Sequence, residues 1–373
     1  MKVGLSTRTL EPALRPTLDG LGVYTAALLE HLPTEGVTVQ GYAWAPRGDA
    51  SQLTLSQPFP GRYASQLCHT LLPWGAALDL PVDVVHFTDY RVVRTRTPSV
   101  ATVHDAIPLK HPDWVGGRWR HLKNWALRTT VARADHFIAV SRYAMAELIE
   151  YYRLPPDRIS VVPCGIDPAW LQPLPTDLAK RRQTLQLPGQ PYFLFVGTFQ
   201  PRKNLDRIIA AHQSLPASLQ QAHPLVVVGQ PGWDCDHTVQ HLRTLQATGA
   251  PVVWLAGVRD RDNLRAIYAG ALALAFPSLY EGFGIPVLEA YACGTAVLTA
   301  TAASLPEVAG DAALLVDPER TDAIAEAMRQ LAEDTALRQT LARRGLARAQ
   351  SYTWANTARE LRAIYRELSA SAT

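Results

Sequence analysis

Short, unbroken apolar runs recur along the second half of this chain, at residues 192–196, 225–228, 252–256 and 271–276. Runs of this length, bounded by turn signals, read as strands buried on both faces, which requires a parallel sheet covered by helices. Helical patterns alternate with the runs, as in a doubly wound α/β unit. The first half repeats the alternation, with short strands expected at 3–6, 37–39, 82–87, 99–103, 136–140 and 159–162. A chain of 373 residues is long for one core and comfortable for two. A proline-rich connector running from Pro163 to about Pro175 marks the hinge, so domains are expected at 1–172 and 173–351.

The stretch 277–290 carries the most chemistry. It follows the apolar run 271–276 and contains Glu281, Gly282, Phe283, Gly284, Ile285, Pro286 and Glu289. The two glycines let the backbone bend and approach a ligand closely. Pro286 suits a first helical position, so a helix opens here with Glu289 expected in its first turn. A helix entry above a strand's carboxyl end presents backbone N–H groups, a ready anion site. Carboxylates accept well from adjacent sugar hydroxyls, so one glutamate suits a ribose and the other a hexose. On these two residues alone, a Glu289 that complements the helix dipole and a solvated Glu281 are the plainer reading.

The spacing from Glu281 to Glu289, with the intervening Gly, Phe and Pro, resembles the two-glutamate signature of retaining glycosyltransferase family 4. The resemblance covers essentially the whole chain and is most specific in the second half. It implies the GT-B architecture: two Rossmann-like domains facing a central cleft, with a C-terminal helix at 352–369 crossing back to the first. It implies an acceptor-binding first domain and a second domain that binds a nucleotide diphosphate sugar, with mannose from GDP-mannose favoured. UDP-glucose or a related donor, or an NDP-sugar epimerase on the same architecture, are the alternatives. Glu281 would touch the donor sugar and Glu289 the nucleotide ribose. The co-substrate would be the only small molecule required, with no further cofactor and no metal.

Arg202 and Lys203 stand on the loop after the run 192–196, just before a helix. Cations at a helix start oppose its dipole unless an anion compensates, so this pair points to phosphate. The resemblance assigns it to the donor pyrophosphate, with the amides of Gly282 to Ile285. Val258, in the turn 257–259, would face the nucleotide base. In the first half, Gly20, Gly22 and Tyr24 form a glycine-rich helix entry, which the resemblance places near donor phosphates and acceptor. A plain entry capped by Asp19 is equally compatible with the spacing. A dinucleotide fingerprint is not met, because Thr25 holds the third glycine's place. His104 and Asp105 directly follow a strand, where an open sheet lines its crevice. The resemblance puts His104 on the donor sugar, and Asp105 is a candidate acceptor contact.

Residues 110–133 carry Lys110, Arg118, Arg120, Lys123, Arg128 and Arg133 against Asp113, with Trp114, Trp119 and Trp125 interleaved. The segment 118–133 reads either as an interfacial helix on anionic lipid, suiting a lipid-linked rather than a soluble glycan acceptor, or as a helix with its tryptophans packed inward. A net charge of +3 gives no reason to expect nucleic acid as a partner. The four cysteines are scattered without metal or redox spacing. The pairs Asp234/Asp236 and Asp260/Asp262 spell a metal motif of another transferase architecture, and helix capping is the preferred reading for Asp260 or Asp262. Arg8 interrupts any leader-like apolar stretch, and no run approaches the roughly 20 residues of a membrane span. The expected location is the cytoplasm, with peripheral contact at the inner face of the membrane only under the interfacial reading of 118–133.

Overall fold

The computed structural model describes residues 1–11, 20–44, 56–72, 74–114, 120–258 and 260–371, with the Arg120 side chain left aside. The chain divides into two compact units, residues 1–165 with 353–373, and residues 166–352.

The first unit holds a seven-stranded sheet in the order β3-β2-β1-β4-β5-β6-β7. Its strands are β1 (Lys2–Ser6), β2 (Thr38–Ala43), β3 (Ser56–Pro58), β4 (Val84–Phe87), β5 (Ser99–Thr102), β6 (His136–Ala139) and β7 (Ile159–Val161). Every pairing is parallel. β4 and β5 are buried along their whole length, as a strand covered on both faces must be. The order reverses between β1 and β4, which makes that position the switch point of the sheet. The C-terminal helix Trp354–Ser371 packs within this unit against the helix Gly20–His31 and β4. Tyr365 on it meets His86 of β4 through a hydroxyl-to-Nδ1 hydrogen bond of 2.6 Å. Gly165 packs so tightly on the helix start that a Cβ there would lie 2.2 Å from the Trp354 nitrogen.

The second unit holds six parallel strands in the order β10-β9-β8-β11-β12-β13, with its switch point between β8 and β11. These are β8 (Tyr192–Val196), β9 (Leu225–Val228), β10 (Val252–Leu255), β11 (Ala271–Phe276), β12 (Ala296–Ala300) and β13 (Ala313–Val316). Phe193, Phe195, Val227, Ala275 and Leu298 meet Ile208, Met328 and Leu331 in its core. The units divide at Gly165, earlier than the boundary expected at 172. The connector is held by the second unit: Trp170 packs edge-on against Tyr268 at 5.6 Å, and Asp167 pairs with Arg261 at 2.8 Å. The Gln172 and Pro173 carbonyls accept from the Arg265 guanidinium.

Among the described residues no helix is long and apolar enough to cross a membrane. The helix Arg120–Val131 leaves Leu122 58% and Trp125 53% exposed, so Trp125 is not packed inward. Arg118 and Trp119 lie outside the described residues.

Candidate active site

Two loops meet at the switch point of the second sheet. The first follows β8 and contains a 3-10 turn, Pro201–Lys203; the second follows β11 and leads into the helix Ile285–Ala292. Parallel pairing of β8 with β11 puts both loops at the same sheet end. The Leu279 N–H donates to the Arg202 carbonyl at 2.8 Å, tying loop to loop. Asn204, in the left-handed conformation at φ 63, donates from Nδ2 to the carbonyls of Pro277 at 2.9 Å and Pro318 at 2.7 Å. It locks the turn that carries the two cations.

Those cations converge on one carboxylate. Lys203 Nζ donates to Glu281 Oε1 at 2.6 Å, and Arg202 Nη1 donates to Glu281 Oε2 at 2.8 Å and to the Tyr280 carbonyl at 3.1 Å. Lys203 and Glu281 are 8% and 7% exposed, so the triad works in a low dielectric. Burial pulls the Lys203 ammonium down to about 8, against the opposing pull of Glu281. Burial alone would raise Glu281; Arg202 and Lys203 outweigh it and hold the carboxyl below its ordinary value. The Lys203 Nζ also lies 4.9 Å from the Phe276 ring centroid, a contact that fixes its direction.

The helix entry needs glycine. Gly284 sits at φ 112, and a Cβ there would come within 2.9 Å of Leu305 Cδ2. The Ser304 hydroxyl, fully buried, donates to the carbonyls of Glu281 and Phe283, at 2.9 and 2.8 Å, and pins the bend from behind. Phe283 is buried edge-on to Tyr352, and Gly282 and Ile285 are half-buried on the open side. The helix starts at Ile285, one residue before Pro286, so Glu289 lies just beyond the first turn. There the Tyr268 hydroxyl donates to Glu289 Oε2 at 2.8 Å. Burial raises the Glu289 carboxyl to about 7 despite that bond and the charge of Lys203. Val258 is half-buried after β10, and Arg259 lies outside the described residues. Asp260 caps its helix through the Asn263 N–H and joins Arg181 at 3.1 Å. The helix after Gly232 begins at Asp236, and Asp234 sits before it at φ 49.

In the first unit His104 follows β5 and donates from Nε2 to the Thr88 carbonyl at 3.1 Å, bridging the ends of β5 and β4. Tyr24 is fully buried: its ring stands edge-on to His104 at 4.8 Å and its hydroxyl lies 3.0 Å from Thr102 Oγ1. The expectation that Tyr24 touches an acceptor is therefore corrected. Gly20 and Gly22 belong to the first turn of the helix Gly20–His31, with Gly20 exposed and Gly22 buried. Asp19, the expected cap, lies outside the described residues. Asp105 Oδ1 accepts from the Ile107 N–H at 3.1 Å and so shapes the turn after His104.

Asn204, Ser304 and Tyr268 were not singled out by sequence as site residues. The signal for the first was its place directly after Arg202 and Lys203. The other two are joined to the glutamate motif only through tertiary contacts.

Comparison with known proteins agrees with this fold. Residues 177–348 match the model for glycosyl transferases group 1, and residues 18–170 match that for glycosyltransferase family 4. The O-antigen chain mannosyltransferase B of Escherichia coli is 32% identical, over 79% of this chain and 76% of that protein. The D-inositol 3-phosphate glycosyltransferase of Acidothermus cellulolyticus is 30% identical, over 93% and 85%. Anabaena Alr3699/HepE, solved with UDP-glucose, superposes with a TM-score of 0.75 over the full length of both chains at 18% identity. The two parallel sheets, the loop pair at the second switch point and these matches make the chain a glycosyltransferase of family 4 with the GT-B fold.

Proposed function

We propose that the protein transfers a hexose, mannose in first place, from a nucleotide diphosphate sugar to a glycan or lipid-linked acceptor, with retention at the anomeric carbon. The observation that carries this reading is the convergence of Arg202 and Lys203 on Glu281 beside the glycine-bent helix entry. In it the second unit binds the donor and the first unit binds the acceptor. Arg202, Lys203 and the amides from Gly282 to Ile285 take up charge on the departing diphosphate, by roughly 3 kcal/mol per well-placed donor. Glu281 and His104 are assigned to the transferred sugar, Glu289 to the ribose, Val258 to the base edge, and Asp105 to the acceptor. Tyr24 serves by holding the His104 ring, and Gly20 and Gly22 by keeping that helix entry free of side chains.

With Glu281 ion-paired to both cations, it is poorly suited to attack as a nucleophile. A front-face route, in which the leaving phosphate takes the acceptor's proton, fits these residues better. The diphosphate charge is met by protein donors, so activity should survive EDTA. Mannose is preferred from the mannosyltransferase relative, and a UDP-hexose donor is the runner-up. A thermal-shift screen of GDP-, UDP- and ADP-sugars tests the donor: the true one, at 100 times its Kd, adds about 2.7 kcal/mol. The product's anomeric configuration, read by NMR, tests retention, and inversion would refute it. Turnover of the donor's sugar without any acceptor would favour an epimerase.

The exposed pair Leu122 and Trp125, on a helix that also presents Lys123 and Arg128 to solvent, favours a peripheral role at an anionic membrane face. Such a surface suits a lipid-linked acceptor.

A further inference from the structure

The switch point of the first sheet carries a cluster with no place in the donor chemistry. Arg8 lies in the 3-10 turn that directly follows β1, and Asp89 and Arg91 lie just past β4. Ligands of open parallel sheets bind outside the carboxyl ends of the strands where the order reverses, and β1 and β4 flank that point. Arg8 stacks on Tyr63, with Cζ 4.3 Å from the ring centroid. Its Nε is enclosed and has no acceptor, and among the described residues no carboxylate forms an ion pair with it.

The nearby acids have partners of their own, Asp89 on Arg91 and Glu11 on the Trp44 backbone. Asp89 Oδ1 accepts from the Arg91 backbone N–H at 3.0 Å, and its Oδ2 lies 3.9 Å from Arg91 Nη1. Glu11 Oε1 accepts from the Trp44 N–H at 2.8 Å, and Oε2 is enclosed without a donor. Burial lowers the Arg8 pKa and the neighbouring Arg91 lowers it further, and the opposing pulls of Tyr63, Asp89 and Glu11 do not restore it. An enclosed donor without a partner is costly, and an arriving oxyanion removes the cost. Guanidinium forks match phosphate oxygens in pairs. The acids beside them suit hydroxyl donors, so the complementary ligand is a polyol that also bears a phosphate.

We propose that Arg8 and Arg91, at the β1/β4 switch point, bind the phosphate of a phosphorylated sugar or polyol acceptor. This rests on the proposed transferase reading for the word acceptor, but the anion site stands on its own geometry. The phosphate can belong to a soluble sugar phosphate or to a lipid-linked sugar diphosphate.

The direct test is the 31P line width of inorganic phosphate titrated with wild type, Arg8→Gln, Arg91→Gln and Lys203→Ala. Broadening at least fivefold weaker in Arg8→Gln and Arg91→Gln, but retained in Lys203→Ala, is the expected result. Broadening lost in Lys203→Ala and kept in Arg8→Gln would place the anion at the donor loops and overturn the proposal. Arg8→Lys, which keeps the charge, guards against loss of fold and should bind phosphate more weakly than wild type and better than Arg8→Gln. Transfer to mannose 6-phosphate and to a polyprenyl-diphosphate sugar in vesicles, each against mannose, then separates the two sources. Wild type should prefer one phosphorylated acceptor at least tenfold, and Arg8→Gln should collapse that ratio. Equal use of phosphorylated and plain acceptors by wild type would refute the assignment while leaving the transferase reading intact. No transfer from any donor, with Arg8-dependent phosphate binding intact, would refute the transferase reading alone.

Discussion

Removing the Lys203 ammonium separates stability from catalysis. In Lys203→Ala, Glu281 loses its 2.6 Å partner and keeps the 2.8 Å bond from Arg202. Breaking a buried pair costs about 3–5 kcal/mol when one charge is left alone, and the surviving arginine places this case near 3 kcal/mol. Transfer falls for a different reason. One lost oxyanion donor raises the barrier by about 2.7–4 kcal/mol, which is two to three orders of magnitude in kcat/KM. The double variant Lys203→Met with Glu281→Gln fills both places with neutral groups of similar size, while Arg202 loses its carboxylate and keeps the Tyr280 carbonyl, so its stability should recover only part of the loss. Its activity should not return. Thermal unfolding and initial-rate transfer assays on wild type, Lys203→Ala and the double variant measure both effects. Lys203→Ala turnover within threefold of wild type, with every donor tried, would refute the reasoning. So would a double variant that recovers transfer along with stability.

The remaining predictions concern the neighbouring groups. Glu289 has its carboxyl raised from 4.5 to about 7 by burial, so the folded state prefers it neutral. The stability this gives is fully present below 4.5 and lost as pH rises through 7; Glu289→Gln should therefore match wild type near pH 4 and exceed it by up to about 3 kcal/mol at pH 8, at 1.36 kcal/mol per unit. A pH-independent difference in denaturant midpoint would contradict this. Lys203, drawn down to about 8, should give kcat/KM an alkaline limb near that pH, which Lys203→Arg should move out of range. A limb that stays in place in Lys203→Arg assigns it to another group. Leu122→Ser with Trp125→Ser should weaken sedimentation with anionic vesicles at least fivefold, with neutral vesicles as the reference. Unchanged binding would remove that helix from the membrane account.

Much of this architecture was legible because parallel strands covered on both faces must be apolar throughout. The run 271–276 became β11 with matching bounds, and 225–228 became β9. Strand β3 escaped notice because Ser56, Gln57 and Pro58 form a short sheet edge, where no apolar face is required. The loops bearing Arg202, Lys203 and Glu281 could be placed together because the residues past neighbouring parallel strands share one sheet end. What could not be read was depth. Tyr24 looked like a ligand contact in a glycine-rich entry, yet its ring is the wall behind His104. Glu289 was placed one position too early in its helix because Pro286 signals a helix start only to within a residue or so. Ser304 and Arg8 escaped for a common reason: their roles arise from what encloses them, and enclosure is a property of the folded chain.

The central claim is that the diphosphate of the donor lies between the cation turn and the glycine-bent helix entry of the second unit. A crystal structure with a bound nucleotide sugar tests it most directly. The account predicts diphosphate oxygens within about 3 Å of Arg202 and Lys203 and of at least one amide from Gly282 to Ile285. A diphosphate bound away from both loops, with Lys203 and Arg202 still turned wholly to Glu281, would contradict it.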